Sequence, residues 1–468
     1  MKTIKNLIWM AALALTAATW SACSNDDEPT AAEQSAQSRT YTVTTTLSPR
    51  NGAATRSTMT DNGDGSISAE WQKDDQIWVG YYQVGGDYQK TTAVVTAVDP
   101  LTKAATIRVT LTNPQDDGNI EFKYPISFYD NTKNPATDQT GTLADINANF
   151  AAIEASGVMY VSSSGVTIVP PSSMAPQMCI WKFSFTDGTT PITSDITSDI
   201  TKLVINIPEN NQTYIVTPSS LSDIYVAMYG YGFSTPKSIC ITAVTATGVY
   251  RKAAASVTLA AGKTYTTTGF ALKKAEVGKV LGADGNIYDN AAATPGGNTA
   301  VAKICYVGND AETSPTNTAF KNGLALALED VSDTKTWCSQ TSVTCLGTQY
   351  DNSTKFNDLA GIANTDALVN NTGHTHAAAS AARNYNSGTH PAGTSAWFLP
   401  SAGQWDKMIG STGLGLSNLG LVANVSYWSS TEDGASSAWG FGSNNGYWAN
   451  SGSGKGAVTI RVRACLAF

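Results

Sequence analysis

From residue 39 to about 274 apolar and polar side chains alternate in short runs, and this period of two constrains the fold more than any other feature of the chain. Tyr41, Val43, Thr45 and Leu47 fall on one side of an extended segment, with Thr42, Thr44 and Thr46 on the other. That is the pattern of a strand with one buried face. Similar runs at 76–82, 91–98, 105–111, 167–170, 178–185, 203–207, 213–216, 224–229, 239–244 and 265–272 are punctuated by Gly, Asn, Asp and Pro. Many short strands, turn residues between them and few helical periods predict β-sandwiches. The stretch is long enough for two, at 39–174 and 175–274.

After Lys273 and Lys274 the texture changes. Residues 280–288 read as strand, tight turn and strand, and 300–307 and 324–328 as further apolar segments. Phe356, Leu359, Ile362 and Ala363 recur at helical spacing within 356–369, and Trp405 and Met408 share one side of a short helix at 401–409. The class from 275 to 468 is therefore α+β, giving a chain that is mainly β with an α+β end. Charged residues make up 14% of the 468, against about 25% in an ordinary cytosolic domain, as in secreted β-rich proteins. A net charge of −8 repels phosphate backbones, so nucleic acid is not an expected partner. Three histidines leave little material for His-dependent catalysis, and no cofactor is expected.

Lys2 and Lys5 precede an apolar run over 7–18, too short to span a bilayer and suited to a secretory signal. Residues 1–22 read as that signal. Trp20, Ser21, Ala22 and Cys23 resemble the lipobox of bacterial lipoproteins, with Trp20 in place of the usual aliphatic residue. The resemblance implies lipidation of Cys23 and attachment to the outer membrane. Residues 23–38 are too polar to fold and read as a tether. Its opening, Cys23 to Glu28 with two Asp, is similar to the surface-export signal of Bacteroidetes lipoproteins.

Ala54, Thr55 and Arg56, followed by Trp71, Lys73, Asp75, Ile77 and Val79, resemble the start of fimbrillin-like (Mfa-like) pilin subunits, and the run from Val257 to Tyr265 resembles their end. This implies two transthyretin-like sandwiches, partner pilin subunits joined by strand exchange, and trimming by an arginine-specific protease. Arg39, Arg50 and Arg56 are the candidate cut sites. Farther on stand three ordered motifs: 397–405, with Trp397 and Trp405; 427–432, with Trp428 and Glu432; and 461–468, with Arg461 and Arg463. Together they resemble a C-type-lectin-like fold over 275–468, of the bacterial subgroup related to formylglycine-generating enzymes and to the targets of diversity-generating retroelements.

In the retroelement targets the interval before the last strand carries the diversified positions. Adenine-directed mutagenesis of Asn codons ending in a pyrimidine never yields Trp or Lys, so Trp439, Trp448 and Lys455 count as scaffold, as do Glu432, Arg461 and Arg463; the two arginines either pair with carboxylates such as Glu432 or line a solvated strand edge. The expected variable, ligand-binding positions are Asp433, Gly434, Ser437, Gly440, Gly442, Ser443, Asn444, Asn445, Tyr447, Ala449, Asn450, Ser451, Ser453 and Ala457. Tyr, Ser, Gly and Asn suit recognition because one aromatic buries much area with few rotors and small residues adapt around it.

Cys338 and Cys345 read as a disulfide of an oxidising compartment; Cys179, Cys240, Cys305 and Cys465 complete an even set of six, for which fifteen pairings exist. His374 and His376, with His390 farther on, lack a carboxylate or further ligand spacing nearby, so no metal site is expected. These readings converge on a fimbrial adhesin of the outer surface, a tip subunit whose ligand is a protein or glycan on another cell or a phage. The alternatives are a structural shaft subunit and an enzyme of the formylglycine-generating type. No enzymatic activity is expected.

Overall fold

The computed structural model describes residues 38–48, 58–64, 67–188, 194–230, 235–313, 319–331, 334–450, 454–457 and 459–468. The signal peptide, Cys23, most of the tether, Arg50 and Arg56 lie outside the described residues. The described chain is mostly β, arranged in several sheets. Among the described residues no helix is long and apolar enough to cross a membrane. The described residues form two compact units, the first from those within 38–133, 147–179 and 261–264, the second from those within 134–146, 180–260 and 265–468.

In the first unit, strands are ordered Thr40–Leu47, Ala105–Thr112, Tyr88–Val98, Gln76–Tyr82, Gly118–Tyr124, Ile153–Ser162 and Ala175–Pro176, with Gly165–Val169 on Ile153–Ser162. Alternation sets the register. Val43 and Leu47 are buried opposite Val109 and Ala105, while Thr42, Thr44 and Thr46 face solvent. Ile77, Val79, Ile107, Val109, Ile120 and Phe122 fill one core, and Trp71 is buried edge-on against Tyr124 at 5.4 Å. Arg39 is exposed, yet its amide donates to Asn113 Oδ1 and its carbonyl accepts from the Asn113 amide, which extends the pairing of the first strand.

Gly157 stands where Ile153–Ser162 pairs on both sides, opposite Ile120 and next to the Val158–Val169 pair. A Cβ there would sit 2.5 Å from the Val169 carbonyl oxygen, an atom fixed by the ladder. Gly157→Ala is expected to cost about 1–3 kcal/mol through overpacking. A lowered urea midpoint at unchanged m would show it.

The second unit contains a sheet ordered Gln212–Val216, Ile200–Ile207, Lys237–Thr245, Gly248–Val257 and Lys273–Lys274, and, from residues 180 and 265 onward, most of another ordered Ile224–Tyr229, Met178–Thr186 and Thr264–Ala271. Residues 134–146 join the same unit through Gln139, whose buried amide donates to the Pro135 and Ala227 carbonyls and accepts from the Ala227 amide. Two more sheets follow, Ile287–Tyr288, Val280–Gly282, Ala300–Val307, Gly323–Ala327 and Cys465–Ala467 in one, Ser426–Gly434, Ser437–Gly442 and Trp448–Asn450 in the other. Position 275 lies inside this unit, and one apolar cluster runs from Val249 and Ala275 through Leu281, Ala302 and Ala325 to Trp428 and Leu466.

Candidate functional site

The carboxyl-terminal region is framed by buried indoles, each with its N–H satisfied. Trp337 Nε1 donates to the Ser429 carbonyl at 2.8 Å, Trp397 to Thr389 at 2.8 Å, Trp405 to Trp428 at 3.2 Å, Trp428 to Lys335 at 2.8 Å and Trp439 to Tyr350 at 2.6 Å. A buried indole contributes large apolar area only if its one polar group finds an acceptor, and each of these does. Helix Ala402–Ile409 begins in a capping box, with the Ser401 hydroxyl accepting from the Gln404 amide and the Gln404 side chain from the Ser401 amide. That fixes the direction from which Trp405 and Met408 enter the core. The final strand, Cys465–Ala467, is buried beside Gly323–Ala327.

On this frame Ser437–Gly442 pairs with Ser426–Gly434 and with Trp448–Asn450. Trp448 is half-buried against Phe441 and Phe356, at ring distances of 5.4 and 5.2 Å. Just before it the chain turns outward. Tyr447 is 69% exposed, and Asn444, Asn445, Ala449 and Ala457 are exposed as well. Asp433, Gly434, Ser437, Gly442 and Ser443 are partly exposed, the Ser437 hydroxyl donating to Asp433. Asn450 ends the last strand of this sheet, and Ser451 and Ser453 lie outside the described residues. Gly440 corrects the expected set: it is buried, and a Cβ there would lie 2.9 Å from the Tyr427 carbonyl oxygen, so it cannot display a side chain.

The charged scaffold residues pair differently from the expectation that Glu432 serves the arginines. Arg461 and Arg463 both meet Asp330, at 3.2 and 2.6 Å, and Arg463 also donates to the Ala327 and Gly420 carbonyls. Glu432 pairs instead with Lys455, both side chains being fully buried. Its carboxylate accepts amides from Cys345 and Leu346, each at 2.8 Å, and the Gln349 side chain at 3.2 Å. The Lys455 ammonium also lies 4.9 Å from the Trp337 ring centroid.

Beside this ion pair the structure gathers Cys338, Cys345 and His376. One ligand atom from each lies within 4.8 Å of the others, and the two sulfurs are 3.7 Å apart. The six cysteines of the described residues are free thiols in this structure. Burial pushes the Cys345 thiol up to about 12, against the pull of the Lys455 ammonium. Burial likewise lowers His376, whose ring stands edge-on to Trp337 at 5.6 Å. Burial holds Cys305 up at about 12 and Cys465 well above its ordinary value, as suits apolar strand positions. His390 belongs elsewhere, with its Nδ1 beside Thr394 Oγ1 and the Pro391 carbonyl. Sequence reasoning missed both the Glu432–Lys455 pair and the grouping of His376 with the cysteines. Positions 338, 345, 376, 432 and 455 share no local spacing; only the three-dimensional path of the chain brings them together.

The arrangement is suited to display. A packed interior whose five buried indole N–H groups are all hydrogen-bonded carries an exposed turn that offers one aromatic ring, two carboxamides and small neighbours. No family model and no curated protein matches the chain. Among solved structures, the chain is similar to a fimbrial protein from Bacteroides ovatus, at 14% identity and a TM-score of 0.35, over 90% of this chain and 100% of that one.

Proposed function

We propose that this chain is a surface-exposed lipoprotein of the fimbrium and that it binds rather than catalyses. Its carboxyl-terminal region, read as C-type-lectin-like, acts as the adhesive head, and two transthyretin-like sandwiches act as the pilin portion that joins other subunits by strand exchange. Cys23 anchors it to the outer membrane. The ligand is a protein or glycan of another cell or a phage. The observation that carries this reading is the contrast at the last three-stranded sheet: Trp439 and Phe441 are buried, while Tyr447 a few residues on is 69% exposed beside Asn444 and Asn445. Tyrosine is among the residue types enriched at binding hot spots, where its ring becomes buried on association.

The test is binding by the full chain on beads to a glycan array and to intact bacterial cells. Tyr447→Ala is expected to weaken capture by about tenfold or more, while stability stays within about 0.5 kcal/mol because the side chain is exposed. If removal of residues 443–447 leaves capture unchanged, the chain is a shaft subunit without a ligand of its own.

A further inference from the structure

We propose that Cys338, Cys345 and His376 form a zinc(II) site. Tetrahedral zinc with bonds of about 2.3 Å to sulfur holds two thiolates about 3.8 Å apart, and these sulfurs stand 3.7 Å apart. A disulfide would require about 2 Å. The third group is oriented in the manner of metal-binding histidines, with Nδ1 3.3 Å from the Trp337 carbonyl. That contact leaves Nε2 as the coordinating atom. Nε2 is buried and has no hydrogen-bond partner among the described residues, a condition that normally costs free energy unless something fills it.

The surroundings fit thiolate ligands. The Gln340 amide points at Cys338 Sγ at 3.4 Å, and the Lys455 ammonium lies 3.9 Å from Cys345 Sγ. Lys455 is itself neutralised by Glu432, so two thiolates and one divalent cation leave the pocket without net charge. The loop is held from behind: the Trp337 and Cys338 amides both donate to the Lys455 carbonyl, at 3.0 and 3.2 Å. Zinc would bind with release of both thiol protons to solvent. Cys345 is only partly buried, which opens a route for the ion and leaves the fourth position to water. The site would tie the segments around 338–345 and 374–376 to each other.

Purified under reducing conditions and dialysed against zinc, the full chain is expected to hold one equivalent of zinc by elemental analysis. Cobalt(II) in its place is expected to give a thiolate-to-metal charge-transfer band. Cys345→Ser and His376→Ala should each weaken zinc binding by more than about 100-fold, since even outer-shell changes cost 10–100-fold; Cys305→Ser should leave it unchanged. The cobalt spectrum of the unaltered chain needs no variant to fold. Absence of the charge-transfer band, zinc retained equally by Cys345→Ser, or failure of the reduced chain to take up zinc would each overturn the assignment.

Discussion

Glu432→Ala is expected to destabilise the carboxyl-terminal region by about 3–5 kcal/mol, the range for removing one partner of a buried ion pair. The substitution strands the Lys455 ammonium at a site with no solvent exposure and leaves the Cys345 and Leu346 amides without their acceptor. Each buried donor left unsatisfied costs about 1–3 kcal/mol. Lys455→Met should cost less, because the Glu432 carboxylate keeps three N–H donors from Cys345, Leu346 and Gln349. The double variant Glu432→Ala with Lys455→Met should lose less than the sum of the single losses, since neither charge is then left alone. Urea unfolding followed by tryptophan fluorescence measures all three. A loss below about 1 kcal/mol for Glu432→Ala would mean that water reaches the pair.

Where a segment is buried on one face only, the sequence shows it. Thr40–Leu47 alternates because threonines face water, and the strand lies where the period of two puts it. Helix Ala402–Ile409 is equally readable, since Ser401 and Gln404 mark its start and Trp405 and Met408 its inner side. The helix expected over 356–369 begins only at Gly361. Asp358 interrupts it: its carbonyl accepts from the Ser401 hydroxyl and the Gly403 amide, and its side chain accepts from the Ala360 amide. Ser401 and Gly403 lie too far along the chain for helical periodicity to reveal them. Gly118–Tyr124 did carry a signal, Ile120 and Phe122 facing inward on either side of Glu121, but it is short and interrupted by charge. Gly248–Val257 carried almost none, because Arg251, Lys252 and a run of alanines break the alternation. The small and polar composition of 443–447 matches a turn that the structure leaves exposed, whereas the buried groups behind it were not legible, since their partners are set by tertiary contact alone.

Arg251 is the other side chain whose loss should be severe, and Arg251→Ala is expected to cost about 3–5 kcal/mol, because it leaves the Gly285, Ala392 and Gly393 carbonyls without their donor, each buried group left unsatisfied costing about 1–3 kcal/mol. Its guanidinium is buried, and its hydrogen-bond acceptors are neutral oxygens: Nε donates to the Gly285 carbonyl at 2.9 Å, Nη1 to Gly393 at 2.7 Å and to Thr242 Oγ1 at 3.2 Å, and Nη2 to Ala392. Burial lowers its proton affinity, and the charge of Asp284 partly offsets this. Gly285, Ala392 and Gly393 belong to two loops far along the chain from the strand that carries Arg251, so this one planar fork fastens three segments. Lysine is a single point donor and cannot reproduce that geometry; Arg251→Lys should therefore recover only part of the loss. The same junction makes Gly393 sensitive. Its φ of +63° already disfavours a side chain, and a Cβ would stand 2.6 Å from Cys240 Sγ. Gly393→Ala should cost about 1–3 kcal/mol by itself and less in the Arg251→Ala background, where the loop is already loosened. Urea unfolding of the four variants, with hydrogen exchange at 285 and 393, measures the coupling. If Arg251→Ala unfolds within about 1 kcal/mol of the unaltered chain and the two loops keep their protection, the carbonyls are served by water and the guanidinium is not what holds the three segments together.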